Sequence, residues 1–176
     1  EKNKTFLQQR MGLPTTQQIL LVGMVTRFSH QKGLDIVVGA LQQLSSLPIQ
    51  LVVLGSGERA IEQSLQNASR NFPWVKVRVS FDPAFARLIY AGADAFLMPS
   101  RYEPCGLGQM IAMRYGTVPM VRATGGLRDT VIEYDPIRKK GNGFLFSSYD
   151  SSALSEVVHR AIRVYKNPLQ WSELQR

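Results

Sequence analysis

Short apolar runs alternate with segments of helical hydrophobic spacing along most of the chain, and this rhythm constrains the fold more than any other feature. The first pair is typical, because residues 19–26 (ILLVGMVT) are almost wholly apolar and the apolar residues from Leu34 onward recur at three- and four-residue spacing. Such uninterrupted apolar runs are typical of strands buried on both faces of a parallel sheet. The alternation therefore predicts repeated βαβ units.

The repeated pattern predicts six strands separated by helices. The strands are residues 19–26, 50–54, 75–81, 95–98, 118–121 and 143–146. The helices begin at Leu34, near Ile61, at Pro83, at Leu107, at Gly125 and near Leu154, the last being the most amphipathic and ending before Pro168. Residues 135–142 are predicted to form an exposed loop, and residues 1–18 carry little structural signal.

The expected fold is α/β, a Rossmann-like doubly wound parallel sheet with strand order 3-2-1-4-5-6, in a single domain over residues 1–176. Ligands of such sheets bind beyond the carboxyl ends of the strands, at the point where the strand order reverses. The loops after the first, fourth and fifth strands are therefore the candidate functional loops.

The charge of the chain indicates an anionic ligand. There are 21 Lys and Arg residues against 13 Asp and Glu residues, a net charge of +8. The basic residues are scattered and match no nucleic-acid-binding motif, so a nucleic-acid partner is not expected. There is no stretch of eighteen apolar residues, and the charged start Glu1 to Lys4 leads into no apolar segment, so neither a membrane span nor a signal peptide is expected.

The loop after the first strand, residues 26–33 (TRFSHQKG), places two cations near the start of a helix. Arg27 and Lys32 lie five residues apart, and Gly33 allows a tight turn. A guanidinium fork, a mobile ammonium group and a helix N-terminus together could bracket a diphosphate. An ordinary solvated loop explains the same residues equally well.

The loop after the fourth strand, residues 100–108 (SRYEPCGLG), contains one carboxylate, Glu103. A carboxylate at this point of the sheet could accept hydrogen bonds from sugar hydroxyl groups. It has no carboxylate partner, so a glycoside hydrolase with a separate acid and base is not indicated. Cys105, the only cysteine, is predicted to be a small packed residue rather than a nucleophile, because no histidine is near it in the sequence.

Other candidate features give weaker signals. Residues 124–127 (TGGL) form either an anion-binding nest or a tight turn at a helix start. Residues 55–57 (GSG) lack the third glycine of a dinucleotide-binding motif. His30 and His159 are not expected to cooperate in catalysis, and a structural role is predicted for His159. No group of residues has metal-ligand spacing, so no metal is expected.

Four of these segments together resemble one family, the bacterial glycogen synthases and plant starch synthases. The four segments are residues 27–33, 55–58, 100–107 and 124–127. The similarity extends from Ile19 to Trp171, and the part from Asp94 to Val131 is the most specific. In that family two Rossmann-like domains face each other across a cleft, the GT-B fold, and the second domain holds ADP-glucose. The resemblance identifies this chain with that second, C-terminal domain.

The resemblance also implies roles for individual residues. Arg27 and Lys32 are expected to contact the diphosphate and to stabilise charge on the leaving ADP. Glu103 is expected to hold hydroxyl groups of the donor glucose. Backbone amides near Cys105, Gly106 and Leu107 are expected to assist Glu103, and Thr124, Gly125 and Gly126 are expected to line the phosphate end of the site.

Two positions refine this resemblance. Phe81 stands where the family often has a tyrosine stacked on adenine, so the aromatic face is kept and the hydroxyl is lost. Ile111 stands where related retaining glycosyltransferases have a second glutamate, a departure that starch and glycogen synthases share.

The implied function is retaining transfer of glucose from ADP-glucose to the non-reducing end of an α-1,4-glucan, without a metal or other cofactor. The family's first domain, which binds the glucan acceptor, is expected to be missing from these residues, and the terminal helix is expected to be cut off just after Trp171. The resemblance implies a location in the cytoplasm of a bacterium or in a plastid of a plant.

Two other functions compete with this assignment. A nicotinamide-dependent dehydrogenase domain would require an acidic residue at the end of the second strand, but Leu54 leads straight into Gly55. A non-catalytic regulatory or glucan-binding module would require exposed aromatic stripes, whereas the aromatic residues here fall mostly on predicted core faces.

Overall fold

The computed structural model describes residues 2–176, which contain one six-stranded sheet. Its strands are β1 (Leu20–Val25), β2 (Ile49–Gly55), β3 (Val75–Val79), β4 (Ala95–Met98), β5 (Val118–Arg122) and β6 (Phe144–Phe146). All neighbouring strands are parallel, in the order β3-β2-β1-β4-β5-β6. The predicted fold class and strand order are confirmed.

Helices cover both faces of the sheet. They are α1 (Lys2–Arg10), α2 (Leu34–Leu44), α3 (Arg59–Asn71), α4 (Pro83–Gly92), α5 (Gly108–Arg114), α6 (Gly125–Thr130), α7 (Ser151–Tyr165) and α8 (Pro168–Leu174), with a 3₁₀ turn at His30–Lys32. One hydrophobic core joins the sheet to α2, α3, α7 and α8, and another joins it to α1, α4 and α5. No helix in residues 2–176 is long and apolar enough to cross a membrane.

Helix α1 was not predicted, because its buried face is partly polar. Lys4 and Gln8 are buried beside Leu7. The helix lies so close to α4 that a Cβ at Gly92 would stand 2.8 Å from the carbonyl oxygen of Asn3. Buried polar side chains remove the hydrophobic period from which helices are predicted.

The predicted end of the third strand is wrong, whereas the predicted end of α7 before Pro168 is confirmed. The third strand ends at Val79 rather than Phe81, because Asp82 accepts a hydrogen bond from the Phe85 amide and caps α4. Pro168 does more than follow α7, since it is the first residue of α8 and Asn167 caps that helix. The last helix therefore extends beyond Trp171.

Candidate functional site

The loops after β1, β4 and β5 meet at the carboxyl edge of the sheet, as predicted. A Cβ at Gly33, whose φ is +73°, would lie 2.0 Å from the Pro99 carbonyl oxygen. A Cβ at Gly126 would lie 1.9 Å from the Cys105 carbonyl oxygen. Only glycine allows these loops to approach so closely, so both positions build the site.

Hydrogen bonds to its carbonyl groups hold the loop after β4 in place. The donor and acceptor pairs are Gln31 Nε2 with Tyr102 O (2.9 Å), Arg122 Nη1 with Arg101 O (2.8 Å), and the Gly126 amide with Glu103 O (3.0 Å). The loop is therefore fixed by both neighbouring loops, and the Glu103 backbone has a defined position.

Lys32 and Glu103 form an ion pair at the centre of this edge. Lys32 Nζ lies 2.6 Å from Glu103 Oε2, and Ser100 Oγ donates to the same oxygen at 3.1 Å. The Lys32 and Glu103 side chains are 19% and 11% exposed. Within residues 2–176 no donor binds Oε1 of Glu103. The sequence predicted both residues as site members but did not predict their contact.

A cleft of about 950 Å³ opens at the same edge of the sheet, lined by residues of the loops after β1, β2 and β3. Arg27 and Phe81 line it at the carboxyl edge, and Tyr90 and Tyr115 line it farther along, between α4 and α5. Phe81 is 90% exposed, so its ring is available to a flat ligand. Lys32 and Glu103 do not line the cleft, so the predicted residues divide between the cleft and the ion pair.

The charge lining the cleft favours an anion. Arg27 and Arg87 line it, and among the described residues the one carboxylate on its wall is Asp82. The Asp82 carboxylate is already engaged, since one oxygen accepts from the Phe85 amide and the other lies 2.9 Å from Arg78 Nη2. The walls are otherwise mainly apolar, which suits a ligand with an aromatic part and an anionic part.

The segment after β5 adopts a tight turn. A Cβ at Gly125 would lie 2.1 Å from the Glu103 carbonyl oxygen, so glycine is needed there for packing. The amides of Thr124, Gly126 and Leu127 each donate to a backbone carbonyl. This geometry favours the turn over the anion nest, and the predicted place of residues 124–126 at the phosphate end stays a prediction.

Packing also accounts for Gly55, the last residue of β2, and for Gly57 in the loop that follows. A Cβ at Gly55 would lie 1.8 Å from the Thr26 carbonyl oxygen, and a Cβ at Gly57 would lie 2.2 Å from that of Phe28. The Phe28 amide donates to the Ser56 carbonyl at 2.9 Å. These glycines let two loops approach each other, so they are not evidence for a dinucleotide.

Cys105 is exposed, which makes its predicted packed position wrong. The reason is that its backbone, rather than its side chain, makes the close contact with Gly126. Within residues 2–176 no acceptor binds the amides of Cys105, Gly106 or Leu107, so these amides remain available to a ligand. His159 is exposed on α7, and its structural role stays a prediction.

A cluster beside the loops joins α2 to the loop after β6. The Tyr149 hydroxyl donates to Asp35 at 2.5 Å, and Arg101 lies 2.9 Å from the same carboxylate. Partial burial opposes ionisation of Asp35, but these hydrogen bonds prevail and lower its pKa. Partial burial and the bond to Asp35 raise the pKa of Tyr149 to about 12. The Asp35 carboxylate thus fixes Arg101, the residue after Ser100.

Sequence reasoning missed several residues of the site. Ser100, Gln31 and Arg122 support Glu103 and its loop, while Arg87 and Tyr115 line the cleft. Ser100 and Arg122 lie at or just beyond the carboxyl ends of strands, and this position was the available signal. The positions of Arg87 and Tyr115 depend on how α4 and α5 pack, for which the sequence has no signal.

Two further observations concern the competing functions and a metal. The large exposed aromatic residues in the described part of the chain are Phe6, Phe81, Tyr102 and Tyr115. They lie on α1, on two different loops and at the end of α5, so they form no stripe. Residues 2–176 contain no cluster of three or more His, Cys, Asp or Glu side chains placed to bind a metal ion.

The fold and the site define a Rossmann-like α/β domain with a ligand site at the carboxyl edge of its sheet. The profile of the family described as glycosyl transferases group 1 matches residues 3–176, and the chain belongs to that family.

Within this family, the chain is similar in sequence to glycogen synthases. Over 175 residues the chain is 50% identical to a glycogen synthase of Thermosipho melanesiensis and 47% identical to one of Kosmotoga olearia. These alignments cover 98% and 99% of the chain but 36% and 37% of the relatives. The chain therefore spans about a third of the length of these curated relatives.

A solved structure has the same architecture. The catalytic domain of starch synthase IV from Arabidopsis thaliana, bound to ADP and acarbose, superposes with a TM-score of 0.91 at 36% identity. The match covers 99% of the chain and 37% of that structure. The fold is accordingly that of the Rossmann-like domain of a GT-B glycosyltransferase, as the resemblance implied.

Proposed function

We propose that this chain is the donor-binding domain of a glucan synthase that transfers glucose from ADP-glucose to an α-1,4-glucan with retention of configuration. The observation that carries the proposal is the Lys32–Glu103 ion pair, which lies at the same edge of the sheet as a cleft that Arg27 and Phe81 line. The glycogen synthases among its relatives, and the starch synthase structure bound to ADP, support it.

We propose that the donor extends from the cleft to the Lys32–Glu103 ion pair. Adenine stacks on the exposed ring of Phe81, and the diphosphate lies near Arg27 and Lys32. The glucose reaches Glu103, and the free amides of residues 105–107 donate to it or to the phosphate. A nucleotide sugar has the aromatic part and the anionic part that the cleft favours.

Charge at the diphosphate is central to the proposed reaction. As the bond to glucose breaks, negative charge grows on ADP while positive charge grows on the sugar ring. Fixed cations and oriented amides that meet this charge lower the barrier. Arg27 and Lys32 supply positive charge near the diphosphate. The Glu103 carboxylate lies on the side of the sugar, where positive charge develops. We therefore propose that neither a metal nor another cofactor takes part.

Binding of the glucan acceptor is proposed for the whole protein and not for these residues alone. The glucan acceptor is proposed to bind a domain outside these residues, with the bacterial cytoplasm or the plant plastid as the compartment. Nucleic acid and membranes are not proposed as partners.

Calorimetric titration with ADP, ADP-glucose, UDP-glucose and NAD tests the donor assignment. Binding of ADP and ADP-glucose is expected at about micromolar to millimolar dissociation constants, with NAD far weaker. Tighter binding of NAD than of ADP would contradict a glycosyltransferase donor site.

Transfer of labelled glucose from ADP-glucose to glycogen tests the division of labour between domains. These 176 residues should show no transfer above background, because orienting both reactants contributes about 7–11 kcal/mol and only the donor side is proposed to be here. The control is a two-domain glycogen synthase. Clear transfer by this chain alone would overturn the division.

A further inference from the structure

The two oxygens of the Glu103 carboxylate have different surroundings. Oε2 accepts from Lys32 Nζ at 2.6 Å and from Ser100 Oγ at 3.1 Å. No donor among residues 2–176 binds Oε1. The protein therefore holds one oxygen and leaves the other available.

We propose that Ser100 is a positioning residue that fixes the rotation of the Glu103 carboxylate, so that Oε1 is presented to a hydroxyl group of the donor sugar. This inference rests on the proposed function, because it takes a sugar nucleotide as the ligand. It deepens that function by separating the oxygen that reads the sugar from the oxygen that anchors the residue.

Ser100 acts through Glu103 rather than by contact with the ligand. It is 2% exposed and lies two residues beyond the end of β4. Its carbonyl oxygen lies 3.4 Å from Arg122 Nη1, so the backbone of Ser100 is held as well. A buried hydroxyl with a fixed backbone can orient a neighbouring carboxylate but cannot reach a substrate.

The hydroxyl is needed because the terminal torsion of a glutamate is broad. The plane of the carboxylate can therefore turn about χ3 at little cost. A single ammonium group can follow either oxygen, since Lys32 has a flexible stem and three donors. Ser100, attached to a fixed backbone, supplies a second and directional bond that fixes the orientation of the carboxylate plane.

Removing the hydroxyl should therefore separate the binding of sugar from the binding of nucleotide. In Ser100→Ala the carboxylate loses one anchor, and ADP-glucose should bind about five- to tenfold more weakly. ADP has no sugar at this position, so its affinity should stay within about twofold. Ser100→Thr keeps a hydroxyl and should restore most of the affinity for ADP-glucose.

The matched control is Ser155→Ala. Ser155 is also a buried serine, and its hydroxyl donates to Gln43 Oε1 at 2.7 Å on the opposite face of the sheet from α5. It should lose a similar amount of stability and leave the ratio of the two affinities unchanged. Urea denaturation of each variant confirms that the comparison is made on folded protein.

Calorimetry on the full chain with ADP and ADP-glucose decides the inference. Support requires that the ratio of the two affinities changes in Ser100→Ala, recovers in Ser100→Thr, and no longer responds to Ser100→Ala when Glu103 is already alanine. An unchanged ratio in Ser100→Ala, or an equal change in the Glu103→Ala background, overturns it. Failure of the unsubstituted chain to bind ADP would instead contradict the proposed function.

Discussion

Two lysine–carboxylate pairs, each with an N–O distance of 2.6 Å, lie at opposite ends of the neighbouring strands β1 and β4. Lys4 and Asp94 occupy the amino end, where Asp94 immediately precedes β4. Lys32 and Glu103 occupy the carboxyl end, in the loops that follow the same two strands. The distance is equal, but the surroundings of the two pairs differ.

The pair at the amino end is closed. Lys4 Nζ also donates to the Ile19 carbonyl at 2.6 Å and to the Tyr165 hydroxyl at 2.7 Å, while Asp94 accepts from the Leu21 amide at 2.8 Å. Burial lowers the pKa of Lys4 and raises that of Asp94 in spite of their mutual attraction. Its donors are used within the protein, so this pair fastens α1 and α7 to the sheet.

The pair at the carboxyl end is open. Among the described residues the hydrogen-bond partner of Lys32 Nζ is Glu103 alone, and Oε1 of Glu103 has none. Unused donors and acceptors on a partly buried pair are available to a ligand. Saturation of hydrogen bonds, rather than the length of an ion pair, therefore distinguishes the structural pair from the functional one.

Breaking the closed pair should change folding stability more than any other substitution described below. Lys4→Met leaves Asp94 buried without its cation, so the free energy of unfolding should fall by about 3–5 kcal/mol. Urea denaturation measures the loss, and Lys2→Met, at an exposed position of the same helix, is the control. A fall in the free energy of unfolding below about 1 kcal/mol, which is typical of exposed pairs, would mean that this pair does not stabilise the packing of α1 and α7 on the sheet.

The next effect is on binding, at the open pair. Lys32→Ala should weaken ADP binding about tenfold, because a charged hydrogen bond to phosphate is lost. The midpoint of thermal unfolding should fall far less than in Lys4→Met. Arg27→Ala, at an exposed position, should weaken ADP binding similarly. If Lys32→Ala unfolded the chain as readily as Lys4→Met, the distinction between the pairs would be lost.

A smaller effect is expected at the cleft. Phe81→Ala removes the proposed stacking surface and should weaken ADP binding by about 1 kcal/mol, at the low end of base–aromatic stacking. Phe81→Tyr should retain that affinity. Stability should be unchanged in both, since the ring is 90% exposed. Equal affinities of Phe81→Ala and the unsubstituted chain for ADP would contradict the stacking of adenine on Phe81.

The smallest effect concerns acid stability. The pKa of Asp35 is lowered in the folded chain, so its contribution is present above its ordinary value of 3.8 and is lost as the pH falls below it. Asp35→Asn should reduce stability at neutral pH by about 0.5 kcal/mol and flatten the loss in acid. Thermal unfolding measured from pH 7 down to acid checks this, and an unchanged slope would contradict it.

The sequence predicts the sheet well because the fold is encoded in long-range repetition of a local pattern. Strands such as β2, buried at every residue, leave uninterrupted apolar runs. It fails at α1, where Lys4 and Gln8 occupy buried positions and break the period. A helix held by polar contacts with the sheet has no signature of its own.

At the site, too, part of the structure is predictable from the sequence and part is not. The loops are predictable, because parallel strands end at one edge and their loops carry Lys32 and Glu103. Their contact is not, since the two residues are 71 positions apart and the pairing depends on the turn at Gly33. Ser100 is missed for a related reason, because a serine in a loop has no chemical signal until its neighbour is known.

Amide chemical-shift mapping with ADP-glucose compares the two ends of the sheet in one measurement. Shifts are expected in residues 26–33, 80–87 and 100–108, around the open pair and the cleft. Residues 4, 94 and 165–171, around the closed pair and the separate cavity of about 520 Å³ beside it, should not respond. Shifts concentrated at the closed pair, with none in the loops at the carboxyl edge, would contradict a donor site at the open pair.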